Sequence, residues 1–260
     1  MHHSLDVLPR IPETVDDVCQ ALGMGSDQLA KLSRLIRLHG YDPFVLLAGK
    51  KRRTIHKPRK WLKTLQRSLH DHVLSAFPIS DAVYSQRGRS VIANASQHLA
   101  RTHLIVMDIQ ACFPSARVQM VRDALRRAGI AEPVVGLITR LVTYQDMLPQ
   151  GPPSSPAVLN LVFTRTDFAL TELAERHDAT YTRYMDDICF SANHAMLGLR
   201  READRTVRNG GFRLNMEKFR SWGPSDPHTI TKIVVTSTLN PEPAYLLLRP
   251  SNSRYQAAYL

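Results

Sequence analysis

Three aspartates in apolar surroundings are the residues of this sequence best suited to chemistry. Asp186 and Asp187 stand side by side within RYMDDICF (183–190), and Asp108 ends the apolar run LIVMD (104–108). Carboxylates that lie close together repel one another, and hard divalent cations prefer oxygen ligands, so a bound metal ion would explain why such a group is kept. Two magnesium ions about 4 Å apart can activate an attacking hydroxyl and stabilise the leaving oxygen in phosphoryl transfer. These residues therefore predict a Mg²⁺ site for phosphoryl transfer.

The pair Asp186–Asp187 also has a simpler interpretation, as the tip of a turn. Aspartate tolerates the backbone angles of tight turns. The flanking runs 181–185 and 188–190 are rich in aromatic and branched residues, which predicts a β-hairpin with the acids at its tip. A hairpin is expected under both interpretations, so it does not decide between them.

The elements around these aspartates have to bring Asp108 to the hairpin. LIVMD has the length and the continuous apolar character of a buried strand that delivers a carboxylate to a surface. If this strand and the hairpin belong to one sheet, the three carboxylates meet. The remaining pattern predicts strands around a basic turn at 44–55, a loop at 150–156, short strands at the end of the chain, and helices over 12–40, 60–77, 117–128, 133–145, 157–176 and 194–209.

The composition is that of a folded chain without a membrane anchor. With 260 residues, of which 43% are hydrophobic, the chain has material for one large domain or two small ones. No apolar run approaches the roughly 20 residues that span a bilayer, and the first residues lack the pattern of a signal peptide. We therefore expect a soluble cytoplasmic protein with no membrane partner. The cysteines are widely spaced and form no CxxC pair, so we expect core residues rather than zinc or redox sites at Cys19, Cys112 and Cys189.

The net charge of +11 favours a polyanionic partner, and nucleic acid is the commonest one for a basic soluble protein. No acid occurs between Pro43 and His70, whereas nine basic residues do: Lys50, Lys51, Arg52, Arg53, Lys57, Arg59, Lys60, Lys63 and Arg67. A charged run is often only a solvated face. Here it alternates with apolar residues such as Trp61 and Leu62, which indicates a folded basic element rather than a tail.

The motifs occur in an order that resembles the reverse transcriptases, and among them the bacterial retron-type enzymes. YMDD (184–187) is similar to the catalytic hairpin of the family, MDIQACFPS (107–115) to the strand with the first metal-binding aspartate, and QGPPSSPA (150–157) to the loop and helix under the incoming nucleotide. GFRLNMEK (211–218) resembles the segment whose lysine lies near the triphosphate, and RTIHKP (53–58) with LKTLQ (62–66) resembles the basic fingers. NASQH (94–98) has the Asn-Ala-x-x-His pattern typical of retron enzymes. The likeness covers roughly residues 41–240.

The resemblance implies an α+β right-hand polymerase fold. Its fingers and palm would surround an antiparallel palm sheet flanked by helices, and its thumb would be short. The implied domains are an N-terminal helical segment over 1–40, fingers over 41–103, a palm over 104–222 with a fingers insertion near 117–149, and the end of the palm with a reduced thumb over 223–260.

The resemblance also implies three groups of site residues. Mg²⁺ or Mn²⁺ would be bound by the catalytic residues Asp108, Asp186 and Asp187, with the carbonyl of Ile109. The incoming nucleotide would contact Lys51, Arg53, Phe113, Gln150, Gly151 and Lys218. RNA or primer would contact Lys57, Arg59, Lys63, Arg89, Asn94, His98 and Tyr184. The ring of Phe113 would clash with a 2′-hydroxyl, so dNTPs are expected to be preferred to NTPs.

Some of these residues have structural alternatives that the sequence leaves open. Phe113 can be an ordinary core residue, and Gln150–Gly151 can cap the helix that follows. Asn94 and His98 can bond to backbone and fix the fingers to the palm, an arrangement we favour over direct chemistry. Tyr184 fits either a structural position or one near the primer end.

As a retron-type enzyme, the protein would be an RNA-directed DNA polymerase of the bacterial cytoplasm. It would copy a structured non-coding RNA into cDNA from dNTPs in antiphage defence, together with an effector protein. Retron enzymes commonly have VTG where this chain has VTS (235–237). Only about twenty residues follow Asn240, which implies a reduced thumb or a partner protein or RNA in its place.

Three other functions remain open from the sequence. The chain can be another defence-associated reverse transcriptase with a different template. It can synthesise DNA without a template or prime from its own side chain, for which Tyr255 and Tyr259 are candidates. It can also be a non-catalytic RNA-binding scaffold, although three retained acids argue against that function.

Overall fold

The computed structural model describes residues 9–48, 51–235 and 239–241. Its contacts divide the chain into two units, the first made of 1–79 and 113–164 and the second of 80–112 and 165–260. Tyr255 and Tyr259, most of VTS (235–237) and the region assigned to a thumb beyond Pro241 lie outside the described residues. The boundaries of fingers, palm and thumb stay predictions.

Helices are distributed over both units, and most of them lie where the sequence pattern predicted. In chain order they are α1 (Val15–Leu22), α2 (Ser26–His39), α3 (Lys60–His72), α4 (Val91–Ser96), α5 (Cys112–Ser115), α6 (Val118–Arg127), α7 (Glu132–Val142), α8 (Ser155–Arg176) and α9 (Leu199–Asn209). Short 3₁₀ turns occur at Leu74–Ala76 and Met216–Lys218. The strands are β1 (Tyr41–Ala48), β2 (Lys51–Pro58), β3 (His103–Asp108), β4 (Thr180–Tyr184), β5 (Asp187–Ala192), β6 (Arg220–Trp222), β7 (His228–Ile230), β8 (Ile233–Val235) and β9 (Leu239–Pro241).

The first unit consists of helices and the antiparallel hairpin β1–β2, in which Tyr41 pairs with Pro58 and Ala48 with Lys51. Helix α1 begins with a capping box, since Thr14 and Asp17 each bond the other's backbone N–H. Helix α3 buries Leu62, Leu65 and Leu69 at helical spacing, as its sequence predicted, which leaves its basic residues on the opposite face.

The second unit contains a four-stranded antiparallel sheet with the strand order β4-β5-β3-β6. A smaller sheet, β7-β8-β9, packs its Ile230 and Val235 with Leu104 of β3 and Cys189 of β5 in one apolar cluster. This mixture of helices with an antiparallel sheet is the α+β class predicted from the sequence. None of the helices in the described part of the chain has the length and hydropathy of a membrane span.

Helix α4, which the sequence pattern did not predict, leads to a buried histidine of the second unit. Ser90 caps this helix by accepting a hydrogen bond from the N–H of Ala93. The ring nitrogens of His98 are hydrogen-bonded to Thr182 Oγ1 on β4 and Ser191 Oγ on β5, both at 2.7 Å. A neutral imidazole offers one donor and one acceptor, and a hydroxyl can match either. Burial, reinforced by the charge of Arg101, lowers the pKa of His98 to about 3.

The lowered pKa of His98 predicts a specific pH dependence of stability. The folded state keeps the ring neutral, whereas the unfolded state binds a proton below its ordinary pKa of 6.5. The contribution of His98 to the free energy of unfolding is therefore complete above pH 6.5. It is lost, at about 1.4 kcal/mol per pH unit, as the pH falls from 6.5 toward 3. The free energy of unfolding can be measured in urea at pH 7.5 and at pH 5.5. Between these pH values, we expect it to fall by about 1 kcal/mol less in His98→Gln than in the wild type.

The exposed His194 provides the matched control, because His194→Gln should keep the wild-type pH dependence. An equal fall in stability for His98→Gln and the wild type would contradict a neutral, buried His98.

Candidate active site

The pairing of β3 with β5 places two of the predicted catalytic aspartates directly opposite each other. Asp108 is the last residue of β3 and pairs with Asp187, the first residue of β5. Residues opposite each other in antiparallel strands project from the same face, with Cβ atoms about 4.5–5.5 Å apart. Asp108 is buried, whereas Asp186 and Asp187 are half-buried. The structure therefore brings the carboxylates of Asp108 and Asp187 together, next to Asp186 in the turn.

Backbone hydrogen bonds continue past the end of β3 and fix the surroundings of Asp108 on both sides. On one side, Ile109 N–H donates to the carbonyl of Asp186 at 2.9 Å. On the other side, Gln110 N–H donates to the carbonyl of Arg213 at 2.8 Å, and Asn215 N–H donates to the carbonyl of Asp108 at 2.7 Å. The hairpin turn and the segment that leads to Lys218 are thus both held to the end of β3.

Lys218, which was predicted to lie near the triphosphate, forms an ion pair with Asp108. Its Nζ donates to both carboxylate oxygens of Asp108, at 2.6 Å to Oδ2. The Asp108 side chain is only 5% exposed, so its charge needs a nearby cation. The Lys218 side chain is 34% exposed and can leave the carboxylate without being moved through the protein interior.

The donors at the end of β3 are chemically suited to a divalent metal ion. Facing carboxylates supply the hard oxygen ligands that Mg²⁺ prefers, and the pairing of Asp108 with a lysine ammonium indicates that a cation is favoured at this position. Among the residues that the structure describes, no three His, Cys, Asp or Glu side chains cluster closely enough to hold a metal ion. The use of all three aspartates and of the Ile109 carbonyl as ligands therefore stays a prediction.

Arg183 and Asp167 form a buried ion pair behind the hairpin that the sequence reasoning missed. Arg183 Nε and Nη2 donate to the two carboxylate oxygens of Asp167 at 2.7 and 2.8 Å, and Nη1 donates to the carbonyl of Met185 at 2.8 Å. The hydroxyl of Tyr181 donates to Asp167 Oδ1 at 2.7 Å. Burial alone would lower the pKa of Arg183, but the charge and hydrogen bonds of Asp167 outweigh it and raise the pKa.

A signal for this ion pair was present in the sequence. Asp167 is an acidic residue on the apolar face of the long helix α8, and Arg183 is a charged residue inside an apolar strand. Charged residues are almost never fully buried unless they are paired. The two buried charges could thus have been matched to each other once both segments were expected to face the core.

Two residues next to the aspartates have pKa values raised chiefly by burial. Tyr184 is half-buried and pairs in register with Asp187, and its pKa is raised by desolvation. Cys112 is buried, and desolvation followed by the negative charge of Asp186 raises the pKa of its thiol. The thiol therefore stays protonated, as expected for a core cysteine.

The residues predicted to contact the nucleotide, apart from Lys218, lie in the first unit. The carbonyl of Gln150 accepts a hydrogen bond from His56 N–H of β2 at 2.9 Å, which ties the QG loop to the hairpin of the same unit. Gly151 has φ +120°, and a Cβ there would lie 3.1 Å from Ile55 Cγ2 and 3.3 Å from the carbonyl oxygen of His56. Lys51 and Arg53 lie on β2, and Phe113 is half-buried in α5. Nucleotide contact by these residues stays a prediction.

The residues predicted to contact RNA or primer differ in how accessible they are. Lys57 and Lys63 are exposed, and the exposed Arg59 bonds Asp42 through Nε at 3.0 Å. Arg89 pairs with Asp81 at 2.6 Å and lies over the ring of Tyr84.

Asn94 and His98 are buried, and the side-chain atoms of Asn94 have no hydrogen-bond partner among the described residues. This burial favours the structural alternative for both residues. The partners of His98, however, are hydroxyl side chains of the same unit rather than backbone. Contact of these two residues with RNA stays a prediction.

Known proteins are similar to this chain over most of its length. The family described as reverse transcriptase (RNA-dependent DNA polymerase) matches residues 45–230. The retron Mx65 reverse transcriptase of Myxococcus xanthus is 32% identical, with 87% of this chain and 59% of the relative covered. The retron Ec86 reverse transcriptase of Escherichia coli is 29% identical, with 72% of this chain and 59% of the relative covered.

A solved structure supports the fold. Apo telomerase from Candida tropicalis, truncated from its C-terminal domain, matches with a TM-score of 0.53 and 9% identity, covering 83% of this chain and 59% of that chain. This likeness shows the right-hand polymerase fold predicted from the sequence.

The chain therefore belongs to the reverse transcriptase family. Its curated relatives are retron reverse transcriptases of bacteria, which confirms the retron-type resemblance of its motifs. The chain spans about three-fifths of the length of these relatives.

The geometry of Gly151 predicts that a side chain cannot be added there without strain. Gly151→Ala would combine an unfavourable positive φ with contacts to Ile55 and the His56 backbone, so we expect a loss of about 1–3 kcal/mol in the free energy of unfolding. Gly136→Ala is the matched control, because Gly136 lies inside α7 and a Cβ there would meet only the end of the Arg140 side chain. The control should be neutral or up to about 1 kcal/mol more stable. Equal urea unfolding midpoints for the two variants would contradict the prediction.

Proposed function

We propose that this chain is an RNA-directed DNA polymerase of retron type. The observation that carries the proposal is the pairing of Asp108 with Asp187 at the ends of adjacent strands, beside Asp186 in the YMDD turn. Carboxylates are costly in such a place unless they bind a cation, and the family to which the chain belongs is described as an RNA-dependent DNA polymerase. The reaction is the addition of dNTPs to a primer on an RNA template.

The proposal gives each residue near the end of β3 a chemical role. Asp108, Asp186 and Asp187, with the carbonyl of Ile109, would hold Mg²⁺ or Mn²⁺. Bound metal ions would supply charge stabilisation to the phosphoryl group and the attacking oxygen. Lys218, which can leave Asp108 without crossing the protein interior, would protonate or screen the departing pyrophosphate.

The substrate and partners follow from the same resemblance. Lys51, Arg53, Gln150 and Gly151 would contact the triphosphate, and Phe113 would exclude NTPs through a clash with the 2′-hydroxyl. The exposed Lys57, Arg59 and Lys63 would contact the RNA backbone, in keeping with the net charge of +11.

We further propose that the template is a structured non-coding RNA and that the product is its cDNA. Curated relatives that are retron reverse transcriptases support this template class. The proposal has four further parts. The protein would act in antiphage defence with an effector protein, a partner would take the place of a thumb, and the location would be the cytoplasm.

The proposed function predicts DNA synthesis that depends on the aspartates and on RNA. Protein purified with its bound RNA should incorporate labelled dNTPs in the presence of Mg²⁺, and RNase pretreatment should abolish the incorporation. Asp108→Asn and Asp186→Asn should each lower the rate by about 10²-fold or more, because each removes a negative charge on which metal binding depends.

Asp178→Asn is the matched control for this assay, because Asp178 is exposed and its positive φ is tolerated by asparagine. This variant should retain wild-type incorporation. No incorporation by the wild type on this RNA or on primed templates, or equal incorporation by Asp186→Asn, would overturn the proposal.

The ion pair between Lys218 and Asp108 predicts competition with a metal ion. Without divalent ions, Lys218→Met should lower the free energy of unfolding by about 1–3 kcal/mol, because Asp108 loses its cation while it faces Asp187. Added Mg²⁺ should then raise the melting temperature of this variant more than that of the wild type, because no ammonium has to be displaced. The exposed Lys63 provides the control Lys63→Met, which should respond to Mg²⁺ like the wild type. The same Mg²⁺ response in Lys218→Met would show that lysine and metal do not share Asp108.

A further inference from the structure

The buried ion pair of Arg183 and Asp167 is not explained by stability. Of the side chains that the structure describes, Arg183 is the largest that is fully buried, and the Asp167 side chain is 1% exposed. For a buried ion pair, the transfer of both charges out of water can cost as much as their attraction returns, and apolar residues of similar volume often fold as well or better. The specific geometry of the pair is therefore more informative than its energy.

The third donor of Arg183 connects the ion pair to the turn that contains Asp186. While Nε and Nη2 are held by Asp167, Nη1 donates to the carbonyl of Met185 at 2.8 Å. Met185 lies in the turn between β4 and β5 with φ +56°, in the left-handed region that residues with a side chain seldom adopt. The carbonyl of Met185 belongs to the peptide group that leads into Asp186. A bond to this carbonyl therefore fixes both the strained residue and the plane from which Asp186 projects.

Asp186 is consequently held on both sides by hydrogen bonds to its flanking peptide groups. Arg183 donates a hydrogen bond to the carbonyl of Met185, in the peptide group that precedes Asp186. Ile109 N–H donates to the carbonyl of Asp186 at 2.9 Å. The two bonds come from different strands, β4 and the continuation of β3. A shift of the turn would break at least one of them, so together they define a single position for Asp186.

The position of Arg183 is itself fixed by several contacts. Asp167 accepts hydrogen bonds from Arg183 and from the buried Tyr181 hydroxyl. The backbone of Arg183 donates to the carbonyl of Ala82 at 2.8 Å and accepts from Tyr84 N–H at 2.8 Å. The guanidinium thus has little freedom to follow a moving turn, and the turn has to conform to it.

We propose that Arg183, held by Asp167, is a positioning residue that fixes the turn from which Asp186 is presented to the active site. The role of Asp186 in catalysis rests on the proposed function, whereas the effect of Arg183 on the turn can be measured without it. Only a fork of donors meets both partners, since a lysine ammonium cannot donate to two oxygens of Asp167 and to Met185 in this planar arrangement.

The test uses a variant in which the whole buried polar group is replaced by apolar residues. This triple variant combines Arg183→Met, Asp167→Leu and Tyr181→Phe. Because all three polar side chains are removed together, none of them is left buried without its partner, and the protein should still unfold cooperatively. Tyr181→Phe alone is the matched control, because the ion pair and its bond to Met185 remain. Arg183→Lys is the second variant, to be measured if the triple variant does not fold.

Two measurements separate positioning from general stability. The first is amide hydrogen exchange at Ile109, whose N–H is bonded to Asp186, compared with the adjacent Gln110, whose N–H is bonded to Arg213. In the triple variant, we expect exchange at Ile109 to become about tenfold faster while Gln110 is unchanged. The second is steady-state nucleotide addition, in which kcat should fall by about 10- to 100-fold with the KM for dNTP within about threefold of wild type. Arg183→Lys should change both quantities in the same direction.

The outcomes distinguish failure of the inference from failure of the proposed function. Unchanged exchange at Ile109 in the triple variant, or in Arg183→Lys if the triple variant does not fold, would overturn the inference, as would faster exchange with an unchanged kcat. An equal effect in Tyr181→Phe would assign the role to the tyrosine instead. If the wild type adds no nucleotide, the proposed function fails, and the exchange at Ile109 still decides whether Arg183 fixes the turn.

Discussion

Two like charges face each other where β3 pairs with β5, and the surrounding part of the second unit is arranged to keep them there. Like charges directly opposite in a sheet are destabilising. Their register is nevertheless fixed, because the pair is buried on both faces, with Leu104 on the face of Asp108 and with Met107, Ile188 and Phe190 on the other. A slip of one residue would exchange the two faces of a strand, mismatch these packed side chains and turn Asp108 away from Asp187. The apolar residues of the sheet thus enforce a contact between charges that the charges themselves oppose.

Positive groups reach this sheet from two sides and differ in what they can do. Lys218 approaches Asp108 from the partly exposed side, where its own side chain remains in contact with solvent. Arg183 lies on the buried side, where it is held by Asp167 and bonds the turn. We propose that a metal ion displaces Lys218, whereas Arg183 fixes the geometry of the turn. This division matches the exposure of the two side chains and the flexibility of lysine compared with the rigid fork of arginine.

Much of the fold followed from periodicity, since apolar runs and helical spacing report burial directly. LIVMD was correctly predicted as a buried strand, and Leu62, Leu65 and Leu69 as the buried face of a helix. Helix α4, which has six residues, is too short to show a period and was missed. Periodicity also does not give register, so the turn was expected to contain both Asp186 and Asp187, whereas Asp187 begins β5.

The contacts that complete the site were harder to predict because they join distant parts of the chain. Lys218 was expected at a triphosphate, and its pairing with Asp108 depends on how the segment around Asn215 pairs with the end of β3. The partners of His98 could not be chosen from sequence either, since Thr182 and Ser191 are two of many hydroxyls. A motif identifies which residue types a site requires, but the partners of each residue are set by long-range pairing.

The turn between β4 and β5 contains features that cost stability, namely a left-handed residue and a buried ion pair behind it. A left-handed Met185 costs about 1 kcal/mol or more, and the buried Arg183–Asp167 pair adds little net stability to offset it. A turn chosen for stability alone would have glycine at this position and apolar residues behind it. The strained Met185, the buried charge of Arg183 and the acids Asp186 and Asp187 all occur within residues 183–187 of the hairpin. Departures from local preference of this kind are expected where a site, rather than the fold, determines the sequence.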